Sequence, residues 1–195
     1  MTRLLSFAFT FLLLPALHAQ EATYRIDPLH SLAQFSVRHM MISTVRGQFG
    51  GVKGTVRYDP KHPAAASIEA TIDCTSINTG EPKRDRDLKG EEFFDIKKYP
   101  VMTFRSKKVA VASPGHLKVT GDLTINAITK QVILDLEGPS DSIKDTQGRT
   151  KIGASATTKV SRREFGILYN PLLETGGVAV SDEVSIVLDI ELIRN

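Results

Sequence analysis

Apolar and polar residues alternate along most of this chain. Leu117, Val119, Gly121, Leu123 and Ile125 are interleaved with Lys118, Thr120, Asp122 and Thr124, and Val132, Leu134 and Leu136 continue the pattern. Ile152, Ala154, Ala156 and Val160 follow it, as do Val184, Ile186, Leu188, Ile190 and Leu192. A period of two gathers such residues on one face of an extended strand, whereas a helix would scatter them around its axis. Segments 31–39, 47–58, 66–75 and 101–111 bring the total to about eight strands. Turn-rich stretches such as "EGPSDSIKDTQGR" at 137–149 separate them, as in antiparallel hairpins. The fold class is therefore all-β. One interval departs from it: "NTGEPKRDRDLKGEEFFDIKKYP", residues 78–100, lacks alternation and predicts one or two short helices.

Strands with a single apolar face can close into a barrel around that face or pack as a sandwich. Closure removes exposed edges, but periodicity fits both. A barrel inserted in an outer membrane is excluded, because it needs an apolar exterior with aromatic girdles. Here the second face carries Lys, Thr, Asp, Glu and Ser, aromatics are 7% of the chain and Trp is absent. In "RGQFGGVKGTVRYD" Phe49 is out of phase with Val52 and Val56. Either an extra residue at Gly50–Gly51 makes a bulge that returns all three to one face, or 47–51 is a simple loop.

The first residues follow a different logic. "MTRLLSFAFTFLLLPALHAQ" has one basic residue, Arg3, an apolar run from Leu4 to Leu14, then Pro15, and the small Ala19 before Gln20. That is the layout of a secretory signal peptide, with a run too short to span a bilayer comfortably. Residues 1–19 are expected to be removed and 20–195 to form a single periplasmic or secreted domain with no transmembrane span. Cys74 is the only cysteine, so no intramolecular disulfide forms even in an oxidising compartment. It shares strand parity with Ile68, Ala70 and Ile72, which predicts a buried thiol and not a nucleophile. Without Arg3 the chain has 24 basic and 22 acidic residues, a balance that demands no polyanionic partner.

No pattern in the sequence calls for catalysis. His30, His39, His62 and His116 stand at no metal-ligand spacing from one another or from Cys74, and no metal is expected. The glycines lack the Gly-Lys-Ser/Thr of a phosphate loop, and Ser31 beside His30 points to the opposite strand face. Charge is concentrated instead. Residues 83–108 hold nine Lys/Arg against five Asp/Glu, and Arg162 and Arg163 add a pair. Such a cluster is either a solvated surface or a mouth that holds an anionic head group. It does not interleave with stacking aromatics, so no nucleic-acid partner is expected. The strand "HSLAQFSVRHM" at 30–40 poses the same choice in apolar terms. Ala33, Phe35 and Val37 share one face, closed by His39, and form either ordinary core or the wall of a cavity.

As a whole, the chain resembles the YceI-like family of exported polyisoprenoid-binding proteins. The similarity runs through "YRIDPLHSLAQFSVRHM", "GQFGGVKGTVRYD", "SINT", "RDRDLKGEEFFDIKKYPVMTF", "GDLTINAITKQVIL", "SRREFGI" and "VSDEVSIVLDIEL". The order "FFD…YP…F" followed by "R-x-FG" is its most specific part. Two positions depart: Asp87 stands where the family pattern commonly has His, and Ala127 where it has Gly. The resemblance implies an elongated, eight-stranded antiparallel, lipocalin-like barrel, often a homodimer, with a long hydrophobic ligand in its pore. It implies no cofactor beyond that isoprenoid or other long-chain lipid. On that basis Phe35, Val37, Phe49, Phe94, Met102, Phe104, Leu123 and Phe165 are expected to line the cavity. His39, Arg84, Arg86 and Arg162 are expected at its mouth, near a head group. Binding or storage without catalysis is then the expected function. An enzyme or redox accessory acting on a quinone-like isoprenoid, and a ligand-free interaction module, are the alternatives.

Overall fold

Alternation becomes pairing in the computed structural model, which describes residues 22–171 and 178–195. Residues 1–19, expected from the sequence to be a signal peptide, lie outside the described residues. The strands are β1 (Ala22–Ile26), β2 (Leu32–His39), β3 (Ser43–Phe49), β4 (Lys53–Tyr58), β5 (Ser67–Asp73), β6 (Val101–Ser113), β7 (His116–Ile125), β8 (Ile128–Glu137), β9 (Ile143–Lys144), β10 (Thr150–Ser161) and β11 (Glu183–Arg194). One α-helix, α1 (Pro82–Leu88), lies in the connection that lacked alternation.

Every strand pairing is antiparallel, and β10 pairs with both β8 and β11, which closes the sheet. β11 is shared on its other side: Leu192–Arg194 face β1, and Ser185–Asp189 face β2. β1 and β2 therefore make one long barrel strand interrupted at 27–31, and β3 and β4 make its neighbour, interrupted at 50–52. With β5, β6, β7, β8, β10 and β11 this gives the eight positions of a closed antiparallel barrel. β9 is a two-residue addition beside β10, within the stretch read as polar loop.

The single strand expected at 47–58 is thus two. Gly51 adopts φ +62°, a left-handed conformation that residues with a Cβ rarely take. The extra length at this break restores phase, since Phe49, Val52 and Val56 are all buried. β1 escaped the pattern because it is only five residues long, although Ala22, Tyr24 and Ile26 are buried and alternate with Thr23 and Arg25.

Hairpin geometry bears on Ala127, where the resemblance led glycine to be expected. Ile125 pairs with Ile128 across a two-residue turn, and Asn126 and Ala127 have φ of 51° and 59°. A turn with two positive φ values favours Asn-Gly; Asn126 fits the first position, and Ala127 occupies the second with strain that glycine would avoid.

Candidate functional site

The inward faces of the barrel do not fill its interior. They enclose a cavity of about 950 Å³, at the upper end of what small-molecule sites usually offer. Each barrel position contributes alternate residues, among them Ala33, Val56, Ala70, Met102, Leu123, Leu134, Ala156 and Leu188. The space has a sequence origin: Ala33, Ala66, Ala70, Ala154 and Ala156 all line it, and small inward side chains leave the centre empty.

The two ends differ. Leu117, Leu136, Pro139 and Tyr58 line the end reached by the β6–β7 turn. Burial raises the pKa of Tyr58, which accords with an apolar surround. At the opposite end, near α1 and the start of the connection after β10, the lining is charged: Glu81, Lys83, Arg84, Arg86, Asp87, Glu91, Glu92 and Arg162. Aromatic contacts tie these covers down. Phe49 packs on Phe35 at 5.5 Å between ring centroids and edge-on against Phe94 at 5.2 Å. Phe93 meets Tyr169 at 5.0 Å, which joins the α1 connection to the loop after β10.

All twelve residues named from the sequence line this one cavity. Phe165 is 1% exposed and Met102 5%, while Phe35 and Val37 are half-buried on the wall. The charged four are not equivalent. His39 is half-buried at the end of β2. Arg84 is tied back: its Nε donates to Thr79 Oγ1 at 2.8 Å and its Nη2 to the Thr79 carbonyl at 3.1 Å. Arg86 is exposed. Arg162 is buried and donates to three backbone carbonyls, of Ser181 (3.0 Å), Ile167 (2.7 Å) and Val180 (3.2 Å). Burial, with Arg163 beside it, pushes its pKa below the usual guanidinium value. These bonds make Arg162 a clamp between Ile167 and the 180–181 backbone, with much of its donor capacity already used.

Sequence reasoning counted Asp87, Glu91 and Glu92 in the charged cluster and set Asp87 near the mouth, but it named none of them as site residues, and it missed Glu81, Phe93 and Tyr169. Phe93 stands next to Phe94 in "EEFFD", where a doubled aromatic could have flagged both; Tyr169 lies in no periodic segment. Cys74 is 2% exposed, and burial pushes its thiol up to about 11, far from nucleophilic use.

A second polar cluster sits outside the barrel wall. Asp27, His30 and Glu191 bring ligand-type atoms within 4.8 Å of one another. The Lys151 ammonium already lies against both carboxylates, bonded to Glu191 and 3.6 Å from Asp27. A cation is thus supplied by the chain itself.

The profile of the YceI-like domain matches residues 24–192. The chain belongs to the YceI-like family. It is 34% identical to "Protein YceI" of Escherichia coli O157:H7 over 192 residues, covering 96% of this chain and 95% of that one. The solved structure of Burkholderia cenocepacia BcnA is similar with a TM-score of 0.72 and 25% identity, over 85% of this chain and 98% of that one. The fold is also shared with a polyisoprenoid binding domain from Saccharophagus degradans, at TM-score 0.62 and 14% identity, over 90% of this chain and 100% of that one. Among the described residues, no helix is long and apolar enough to cross a membrane.

Proposed function

We propose that the protein is an exported carrier or store for a polyisoprenoid or similar long-chain lipid, held in the barrel without chemical change. The observation that carries this is the barrel cavity of about 950 Å³, with alkyl and aromatic walls along its length and charged groups at one end only. An elongated apolar chain placed there leaves water along its whole length, at roughly 0.8 kcal/mol per methylene. A polar head group at the charged end keeps its hydration or exchanges it for hydrogen bonds. The polyisoprenoid binding of the Saccharophagus degradans domain supports the ligand class. The pattern of residues 1–19 supports export to the periplasm or beyond the cell. Phe35, Val37, Phe49, Phe94, Met102, Phe104, Leu123 and Phe165 contact the tail in this account, and His39 and Arg86 lie nearest the head group. Mass spectrometry of organic extracts of the purified protein tests it. A stoichiometric, unmodified long-chain lipid is expected. A ligand converted during incubation would point to an enzyme, and an empty barrel that takes up no added polyprenyl alcohol would overturn the binding function.

A further inference from the structure

The hairpin between β2 and β3 projects at the charged end of the barrel, and its tip is apolar. Met40, Met41 and Ile42 are 42%, 55% and 79% exposed. The tip has definite structure: the Ile42 N–H donates to the His39 carbonyl at 3.1 Å, and Met40 and Met41 have φ of 49° and 61°. Two positive φ values at the centre of a hairpin turn suit Asn-Gly, so two methionines there carry strain. That strain is a cue to a role outside folding, because the side chains it presents remain open to solvent.

Neighbouring groups hold the tip in place. The Met40 N–H donates to the Ala179 carbonyl at 2.8 Å, the Ser181 N–H to the Arg38 carbonyl at 2.9 Å, and the Arg38 guanidinium to the Met41 carbonyl at 2.7 Å. Asn170 accepts the Ala179 N–H at 3.0 Å, which brings the exposed Leu168 and Tyr169 to the same rim. His39, Tyr169 and Val180 also line the cavity, so this rim borders its entrance.

The hairpin itself carries charge of one sign, although Glu81, Asp87, Glu91 and Glu92 line the same end of the cavity. Residues 28–58 contain no Asp or Glu, and Arg38 and Arg46 are exposed on the hairpin arms below the tip. The acids on the adjoining strand are paired: Glu183 with Lys159 at 2.8 Å, and Asp182 with Arg163 at 3.9 Å. An apolar point rising from a cationic collar matches an anionic bilayer, with side chains at the acyl boundary and guanidinium groups among the phosphates.

We propose that this rim docks the barrel entrance onto an anionic phospholipid surface, so that hydrophobic cargo passes between bilayer and cavity without crossing water. The purpose rests on the proposed cargo; the docking does not, and it is read with vesicles alone. The purified chain is sedimented with vesicles containing phosphatidylglycerol and phosphatidylethanolamine, or with phosphatidylcholine alone. Binding is expected to the anionic vesicles and to be much weaker to the neutral ones.

Met40→Asn with Met41→Gly removes two of the three apolar side chains of the tip while relieving the turn, so its thermal midpoint should hold or rise while vesicle binding falls about tenfold. Arg46→Gln should weaken binding to anionic vesicles about fivefold. Failure of the wild-type chain to bind anionic vesicles overturns the proposal, as does a tip variant that binds undiminished. A wild-type dimer that the tip variant makes monomeric, with neither binding vesicles, also overturns it and assigns the rim to a second copy of the chain.

Discussion

Truncating Phe104 separates a cavity wall from a filled core. In a packed interior Phe→Ala costs about 3–5 kcal/mol, the sum of lost transfer free energy and a void penalty of roughly 24 cal/mol per Å³. Phe104 has an unusual position. A Cβ built on Gly121 would lie 2.5 Å from its Cζ, so one side of the ring rests on the bare β7 backbone while the residue lines the cavity. Removing the ring enlarges a space of about 950 Å³ and opens no isolated void. Most of the void penalty should be absent, leaving the transfer part, about 1.5–3 kcal/mol, in lipid-free protein. Ile77 is the control: it is 3% exposed, belongs to the core and does not line the cavity, so Ile77→Ala should show the full 2–5 kcal/mol. Urea melts of lipid-free variants give the stabilities by linear extrapolation, and calorimetric titration with a polyprenyl alcohol gives the affinities. Phe104→Ala should weaken binding by about tenfold, equivalent to roughly 1.4 kcal/mol of lost tail contact, and Ile77→Ala should leave it unchanged. A penalty at Phe104 of 3–5 kcal/mol with unaltered affinity would refute the cavity argument.

Three further outcomes are expected. Arg86→Gln should weaken binding of a polyprenyl phosphate relative to the alcohol by no more than about fivefold, because an exposed guanidinium is well screened; a hundredfold selective loss in titrations would show a true phosphate clamp. Ala127→Gly should raise stability by about 0.5–1 kcal/mol, since the left-handed conformation costs Ala about 1–2 kcal/mol and the freer unfolded glycine returns part of that; a lower urea midpoint would contradict it. The hydrogen bond from His30 is the main cause that lowers the Asp27 carboxyl, so its contribution is present above about pH 4 and lost as pH falls through the folded-state value. The bond with Glu191 is the main cause that raises Lys151, whose contribution is present below about pH 10 and lost as pH rises through the folded-state value. Asp27→Asn should therefore flatten the acid limb of the stability–pH profile, and an unchanged limb in melts across pH would remove Asp27 from the account.

Why twelve residues chosen from sequence fall on one cavity, while their roles divide, follows from the range of the forces involved. Strand periodicity is local, so once Phe104 or Leu123 is placed on an apolar face, closure of the barrel turns that face inward. Whether the interior is then full is not local. It depends on summed volume across all eight strand positions, and only the inward alanines at 33, 66, 70, 154 and 156 bear on it. The break at 50–52 could be anticipated from its glycines, but the turn at Met40–Met41 contains none of the residues that signal one. Arg162 shows the limit most clearly. Its charge suggested a head-group ligand, yet its partners are the carbonyls of Ile167, Val180 and Ser181, set by how a connection returns to the barrel. A cation spent on backbone carbonyls cannot be told from a free one by composition. Much of the guanidinium's hydrogen-bonding capacity at this end therefore goes to holding the entrance in shape, which leaves the length of the apolar wall as the main source of affinity.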